Sequence, residues 1–307
     1  MPQNFERLKH RIDTMGSIRG IVSTMKTMSA INALPYEQAA QAIEAYHDTV
    51  LTGLHAFVRS HGPLPVDTTP ASKAVVITFG SDHGLCGNYN EIIAEEALRV
   101  TQATPETRVI CVGAQMEDAL HGQGITPEET LLPPATADGL GRLSGRLITL
   151  LDTLHIAVAS VAVTLVHMQR GQHGLQHPIA TRLLPLDHKM TADLARKPWT
   201  SRSLPQFRMP PDQLLASLIR SYLFARLYHS AAEAMVTENA ARLARMQQAE
   251  QSIDDQLDAL TTEMRSVRQS EITTELLDVI IGFEALKARD KRNAAPPERY
   301  ALTLRDP

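Results

Sequence analysis

The chain has 307 residues, 43% of them hydrophobic and only 4% aromatic, with a formal net charge of −4. That is the composition of a globular chain, and it lacks the basic excess by which a dedicated nucleic-acid binder neutralises phosphates. Two cysteines are too few for a disulfide framework, no run of about 18 apolar residues offers a membrane span, and the charged opening MPQNFERLKHRI has no apolar leader core.

The first expected element is a long helix over residues 1–60. Phe5, Leu8, Ile12 and Met15 step by three and four, and Ile18, Val22 and Met25 carry the rhythm on, which places them on one helix face. Gly16 and Gly20 each cost about 1 kcal/mol relative to Ala in such a helix. The helix is therefore expected to pack on a partner, with the two glycines allowing close approach. Pro35 predicts a kink, after which Ile43, Tyr46, Val50 and Leu54 resume the pattern. Residues 60–72, SHGPLPVDTTPAS, have the composition of a linker.

The middle of the chain alternates. A buried strand over Ala74–Phe79 ends at Gly80, and a polar loop leads to a helix over 90–102. A strand over Arg108–Val112 is followed by a helix over 114–122, a weak strand near 125–131, a helix over 138–155, and strands over 157–168 and 178–186. This order predicts an α/β domain over 73–187, with a mainly parallel sheet and helices on both faces.

An irregular stretch over 188–211 carries Pro198, Pro205, Pro210 and Pro211, and Pro-Pro-Asp then opens a helix free of Pro to about residue 288. Ile253, Leu257, Leu260, Met264 and Val267 form a heptad seam, which Ile272, Leu276, Val279, Phe283 and Leu286 repeat after a phase slip. The seam predicts a long antiparallel coiled coil of the 1–60 and 210–288 helices. Ile12, Val22, Leu257, Leu260 and Met264 lie in it, the α/β domain is inserted between, and residues 289–307 form a further tail. Each buried Leu, Ile or Met contributes about 1.5–3 kcal/mol before entropy is subtracted.

The sharpest local motif is Gly80-Ser-Asp-His-Gly-Leu-Cys-Gly-Asn-Tyr-Asn90. A Gly-rich loop between strand and helix can cradle a phosphate, but this one matches neither nucleotide fingerprint and has no Lys to meet a phosphate. The favoured reading is a structural turn built on Asp82, Gly84, Cys86 and Gly87, with Gly84 and Gly87 at positive φ. His83 and Cys86 form a possible nucleophile pair with no third group to orient them, and a buried inert Cys86 is preferred. His167, His173 and His177, placed in a turn between strands, match no zinc spacing and are expected in a solvated loop. Glu95-Glu96, Glu128-Glu129 and Asp254-Asp255 are sequence neighbours, whose side chains point apart on a helix. Two basic clusters, Arg7, Lys9, His10 and Arg11, and Lys287, Arg289, Lys291 and Arg292, fit either solvated helix ends or contacts with an acidic partner.

Three blocks together resemble the gamma subunit family of bacterial F-type ATP synthases: Leu8–Asn32 (LKHRIDTMGSIRGIVSTMKTMSAIN), Gly80–Asn90, and Glu238–Leu286 with ENAARLARMQQA and VRQSEITTELLDVIIGFEAL. In the first block Arg11, Ile12, Ile18, Ile21 and Met25 fall in the family's places. His83 and Asn88 depart from the Arg and Gly usual there, Gly16 and Gly20 replace polar or basic residues, and 287–307 extends past the usual end.

The resemblance implies a Rossmann-like domain that binds no dinucleotide, inserted in the coiled coil. It implies a non-catalytic rotor that couples the membrane c-ring to the beta subunits and takes no cofactor or metal. Its implied partners are the alpha and beta subunits, epsilon and the c-ring, at the cytoplasmic face of the bacterial inner membrane. By resemblance, Met25, Arg268, Gln269, Thr273 and Glu275 face beta-subunit loops. The competing readings are a phosphate- or nucleotide-binding enzyme using the 80–90 loop and a freestanding coiled-coil adaptor.

Overall fold

The computed structural model describes residues 2–64, 73–104, 106–153, 161–171 and 174–293, with the side chains of 2–3 and 291–293 excepted. The chain divides into two units, residues 22–249 and residues 1–21 with those from 250 onward. Two helices contribute to both, α1 (Pro2–His61) and α6 (Pro211–Asn293).

The larger unit is built on a five-stranded sheet. Its elements are β1 (Lys73–Phe79), α2 (Tyr89–Thr101), β2 (Glu106–Val112), α3 (Ala114–Gly122), β3 (Glu129–Leu131), α4 (Leu140–Thr153), β4 (Val161–Arg170), β5 (Gln176–Leu184) and α5 (His188–Arg196). The strand order is β3-β2-β1-β4-β5. β1 pairs in parallel with β2 and β4, β2 with β3, and only β5 runs antiparallel, on β4. An antiparallel last strand suits an edge, and Pro178, which has no N–H to give, is tolerated there.

Alternation along the strands sorts the side chains into two cores. Val75, Ile77, Phe79, Ile110, Val112, Val163 and Leu165 join Tyr36, Leu54, Phe57 and Val58 of α1, Leu140 and Leu147 of α4, and Leu227 and Val236 of α6. Val76, Val109, Cys111, Val166 and Met168 face the other way, onto Tyr89, Ile93, Ala94 and Ala97 of α2 and Met116 and Leu120 of α3. Helices thus cover both faces. Arg170, at the end of β4, ties the sheet to both long helices: Nε lies 3.0 Å from Glu233 Oε1, Nη2 3.2 Å from Oε2, and Nη1 2.6 Å from Glu37 Oε1.

α1 continues through Pro35 as one helix, in line with the helix expected over 1–60. Several other expectations change. The stretch expected to be irregular contains α5, opened by the Asp187 side chain accepting from the Lys189 N–H. The weak strand shrinks to Glu129–Leu131, and α4 begins after a 3₁₀ turn at Ala137–Gly139. β5 starts at Gln176, two residues before the expected strand. Residues 65–72, 154–160 and 294–307 lie outside the described residues, including most of the expected linker and of the tail.

In the smaller unit, Leu8, Ile253 and Leu260 are buried, and Ile12, Leu257, Met264 and Val267 are half-buried. Arg19 Nε meets Asp254 Oδ1 at 2.5 Å. A Cβ built on Gly16 or Gly20 meets nothing within 4 Å, so neither glycine serves a close approach within the described residues. Val22, the fifth seam residue, belongs to the larger unit and is 9% exposed.

Candidate functional site

The 80–90 loop is a joint held at several points by protein partners. The Gly80 N–H donates to Val112 O at 2.9 Å, and Ser81 N–H donates to Asn90 Oδ1 at 2.9 Å. Asn90 Nδ2 returns a bond to Ser81 Oγ at 2.8 Å, and Cys86 Sγ lies 3.4 Å from the same hydroxyl. α3 has Gly113 at its N-cap with no side chain to offer. The loop supplies the caps, with Ser81 O accepting from Gln115 N at 3.1 Å and Asp82 Oδ1 from Ala114 N at 3.4 Å. Gly113 holds φ +112, and a Cβ there would sit 2.5 Å from Ser81 O.

The outer half of the loop lies on α6. Arg242 Nη2 donates to His83 O at 3.0 Å and its Nε to Gly84 O at 3.3 Å. Nη2 also meets Glu238 Oε1 at 2.7 Å, an i,i+4 pair whose side chains are only 12% and 6% exposed. One turn on, Gly87 at φ +71 admits the Arg245 guanidinium, whose Nε lies 2.3 Å from where a Cβ would stand. Of the two glycines expected at positive φ, only Gly87 has it; the other left-handed residue is Leu85, at φ 68 and 58% exposed. The two carbonyls just before that corner, His83 and Gly84, accept from Arg242. A bulky residue in this region is an outlier held by its surroundings.

These contacts bear on the competing chemistry. Two N–H groups that could cradle a phosphate, those of Gly80 and Ser81, are already bonded. His83 points outward, its side chain 85% exposed and its Nδ1 3.4 Å from Asp82 Oδ2, while Cys86 is buried beside Ser81. Burial pushes the Cys86 thiol up, away from the thiolate a nucleophile needs, and lifts Cys111 to about 12. The histidine trio also dissolves. His167 sits inside β4, 3% exposed, with Nδ1 2.9 Å from Met168 O and burial pulling its pKa down to about 4. His177 is an exposed β5 residue, and His173 lies outside the described residues. His167 belongs to the core because the strand continues through it to Arg170.

Of the residues expected to face a partner, Met25 is half-buried, and Arg268, Gln269, Thr273 and Glu275 are exposed. The second seam segment is exposed too: Ile272, Leu276, Leu277, Val279, Ile280, Ile281, Phe283 and Leu286 are each 50–70% exposed. Glu238, Arg242 and Arg245 were not singled out by sequence reasoning as loop holders. The signal available was the Glu-x-x-x-Arg spacing in ENAARLAR.

The class these features define is an open, mostly parallel α/β sheet domain whose sequence is inserted between two long terminal helices. The family model described as ATP synthase matches residues 4–286. The ATP synthase gamma chain of Alkaliphilus metalliredigens is 24% identical over 298 residues, covering 94% of this chain and all of that one. The gamma chain of Granulibacter bethesdensis is 26% identical, covering 92% and 99%. This chain belongs to the ATP synthase gamma family. Its fold is similar to a chain of the rotor of Euglena gracilis mitochondrial ATP synthase, with a TM-score of 0.62, 14% identity, and coverage of 89% of this chain and 100% of that one. In a second structure of that synthase, comprising OSCP, F1 and c-ring, the matching chain gives a TM-score of 0.64 at 15% identity, over 98% and 100%.

Proposed function

We propose that this chain is the central-stalk rotor subunit of an F-type ATP synthase, coupling rotation of the membrane c-ring to ATP synthesis or hydrolysis at the beta subunits. It has no catalytic site of its own. The observation that carries this reading is the family match through residues 4–286. The exposed apolar run from Ile272 to Leu286 supports it, because eight large apolar side chains in four turns need a cover.

The paired-helix reading accounts for where that run begins. In an antiparallel coiled coil with Arg19 opposite Asp254, each step toward the N-terminus of α1 is a step toward the C-terminus of α6. Pro2, where the described part of α1 begins, then falls opposite about Glu271, so the described part of α1 pairs with α6 only up to about that point. The stretch from Ile272 onward is left for the alpha and beta subunits, with Met25, Arg268, Gln269, Thr273 and Glu275 facing beta-subunit loops. The α/β domain takes the epsilon and c-ring side, and the chain works at the cytoplasmic face of the bacterial inner membrane, peripheral to it. No helix among the described residues is long and apolar enough to cross a membrane. Rotation acts by population shift: an asymmetric rotor touches three like sites differently and favours a different nucleotide state at each.

The test is Leu260→Asp in the assembled enzyme. A charge at a position only 6% exposed separates the terminal helices, so ATP-driven ion pumping in inverted vesicles is lost while ATP hydrolysis persists. Pumping at the unmodified rate overturns the coupling role of the paired helices.

A further inference from the structure

Among the described residues two buried side-chain oxygens lack a hydrogen-bond partner, Glu271 Oε1 and Glu238 Oε2. The second lies beneath the 80–90 loop, at the point where that loop rests on α6. Glu238 is 5% exposed, and its other oxygen is taken by Arg242, which also grips the carbonyls of His83 and Gly84. The carboxyl, the arginine and the loop form one connected set. The groups around it are known: Asp82, His83 and Cys86 from the loop, Tyr36 from α1, Tyr89 from α2, and Arg242 on its own helix.

We propose that residues 81–87 form a proton-sensitive latch on α6, closed when Glu238 Oε2 carries a proton and loosened when that oxygen is left as an anion with no donor to face.

With the loop closed, a proton has one available oxygen, because Oε1 already accepts from Arg242. Protonated Glu238 leaves a neutral hydroxyl in the pocket and keeps the Oε1 bond, and Arg242 still donates to both loop carbonyls. Ionised Glu238 gains attraction from Arg242 but buries an undonated anionic oxygen, which costs more than an undonated hydroxyl. Opening the loop lets water reach Oε2 and relieves that cost.

The titration agrees with the geometry. Burial lifts the Glu238 carboxyl above its usual range, and Asp82 adds to the rise. Arg242, through its charge and its hydrogen bond, and His83 oppose it without cancelling it. The sign follows by linkage. The closed form binds the proton more tightly than the open form, so acid favours closure. The fraction open grows as pH rises from the value of a solvated glutamate, about 4.3, and levels off above the raised closed-state value. Between the two, opening increases by up to about tenfold per pH unit. The segment released carries Leu85, an exposed apolar side chain in a left-handed conformation, so the latch governs how firmly that side chain is presented.

The experiment is amide hydrogen exchange at Ser81, Ala114 and Gln115, whose N–H groups donate to Asn90 Oδ1, Asp82 Oδ1 and Ser81 O, in the full chain from about pH 4.5 to about pH 7.5, corrected for the intrinsic pH dependence of exchange. The expected result is protection that falls severalfold as pH rises and then levels off, with Glu238→Gln flat and protected throughout. A flat profile in the unmodified chain overturns the latch. So does an unchanged slope in Glu238→Gln, because Asp82 and His83 remain in that variant and the slope is then theirs. If the variant does not fold, the carboxyl carbon shift of Glu238 in the unmodified chain decides. A midpoint above the ordinary carboxylate value that coincides with the exchange transition supports the latch; a midpoint at or below that value refutes it.

Discussion

Replacing Arg170 by Met removes the cation that joins the end of β4 to α6. Two charge-assisted bonds to Glu233 are lost, at 3.0 and 3.2 Å, each worth about 1.5–3 kcal/mol before screening, together with the outer bond to Glu37. The arginine side chain is 37% exposed, so roughly half of that survives as net stabilisation. Glu233 is 7% exposed and loses its cation, but it keeps the Arg170 backbone N–H at 3.1 Å. The expected loss is about 2–3 kcal/mol. Glu37→Gln breaks only the outer bond between half-exposed groups and costs no more than about 1 kcal/mol. Trp199, the single tryptophan, lies in the same unit and reports its urea unfolding by fluorescence.

The pH dependence supplies a second check on the same pair. Burial pushes the Glu233 carboxyl up, but the side-chain and backbone bonds from Arg170 outweigh it and hold the group below the usual carboxylate range. A depressed folded value stabilises above the unfolded one, about 4.3, and that contribution is lost as pH falls through the folded value. The gap between the unmodified chain and Arg170→Met should therefore narrow below about pH 4. Adding Glu233→Met to Arg170→Met should recover part of the loss, because no buried charge is then left unpaired. The reasoning fails if Glu37→Gln costs as much as Arg170→Met, or if the gap widens in acid.

Gly113→Ala puts a Cβ 2.5 Å from Ser81 O at φ +112, and it should lower stability by about 3 kcal/mol in the same titration; a change under about 1 kcal/mol would refute the strain argument. Gly16→Ala meets nothing within 4 Å and should raise the helix stability of the free chain by about 1 kcal/mol, seen as slower amide exchange around residue 16; faster exchange there would show a close contact the structure lacks.

Where residues answer to local physics, the sequence was a good guide. Ala74–Phe79 is an apolar run bounded by Gly80, and the strand lies within a residue of that reading. The 3.6-residue rhythm located both long helices, and Pro211 at the first position marked the start of α6. The misses have particular causes. α5 is short and hidden among prolines, and its Asp187 cap was the only local signal. His167 lies within the strand expected over 157–168, and grouping it with the turn histidines set that apolar pattern aside. The loop motif was legible as a turn, but its hold was not: Arg242 and Gly84 are 158 residues apart, and nothing in a single sequence pairs them. The second seam segment has a heptad rhythm like the first, yet its side chains are exposed, since periodicity marks an apolar face without saying which chain covers it.

One core of the sheet draws on both ends of the larger unit. Tyr36, Leu54 and Phe57 leave the ribosome before the first strand, whereas Tyr222, Leu227, Ala231, Ala232 and Val236 leave it after the last. The face formed by Val75, Ile77, Phe79 and Leu165 therefore stays partly open throughout synthesis of residues 73–184, until the first turns of α6 emerge to close it. The opposite face, roofed by α2 and α3, finds its cover locally and can consolidate early. The nascent chain thus passes through a stage with one finished side and one oily side, and that is the interval in which a holdase would meet it.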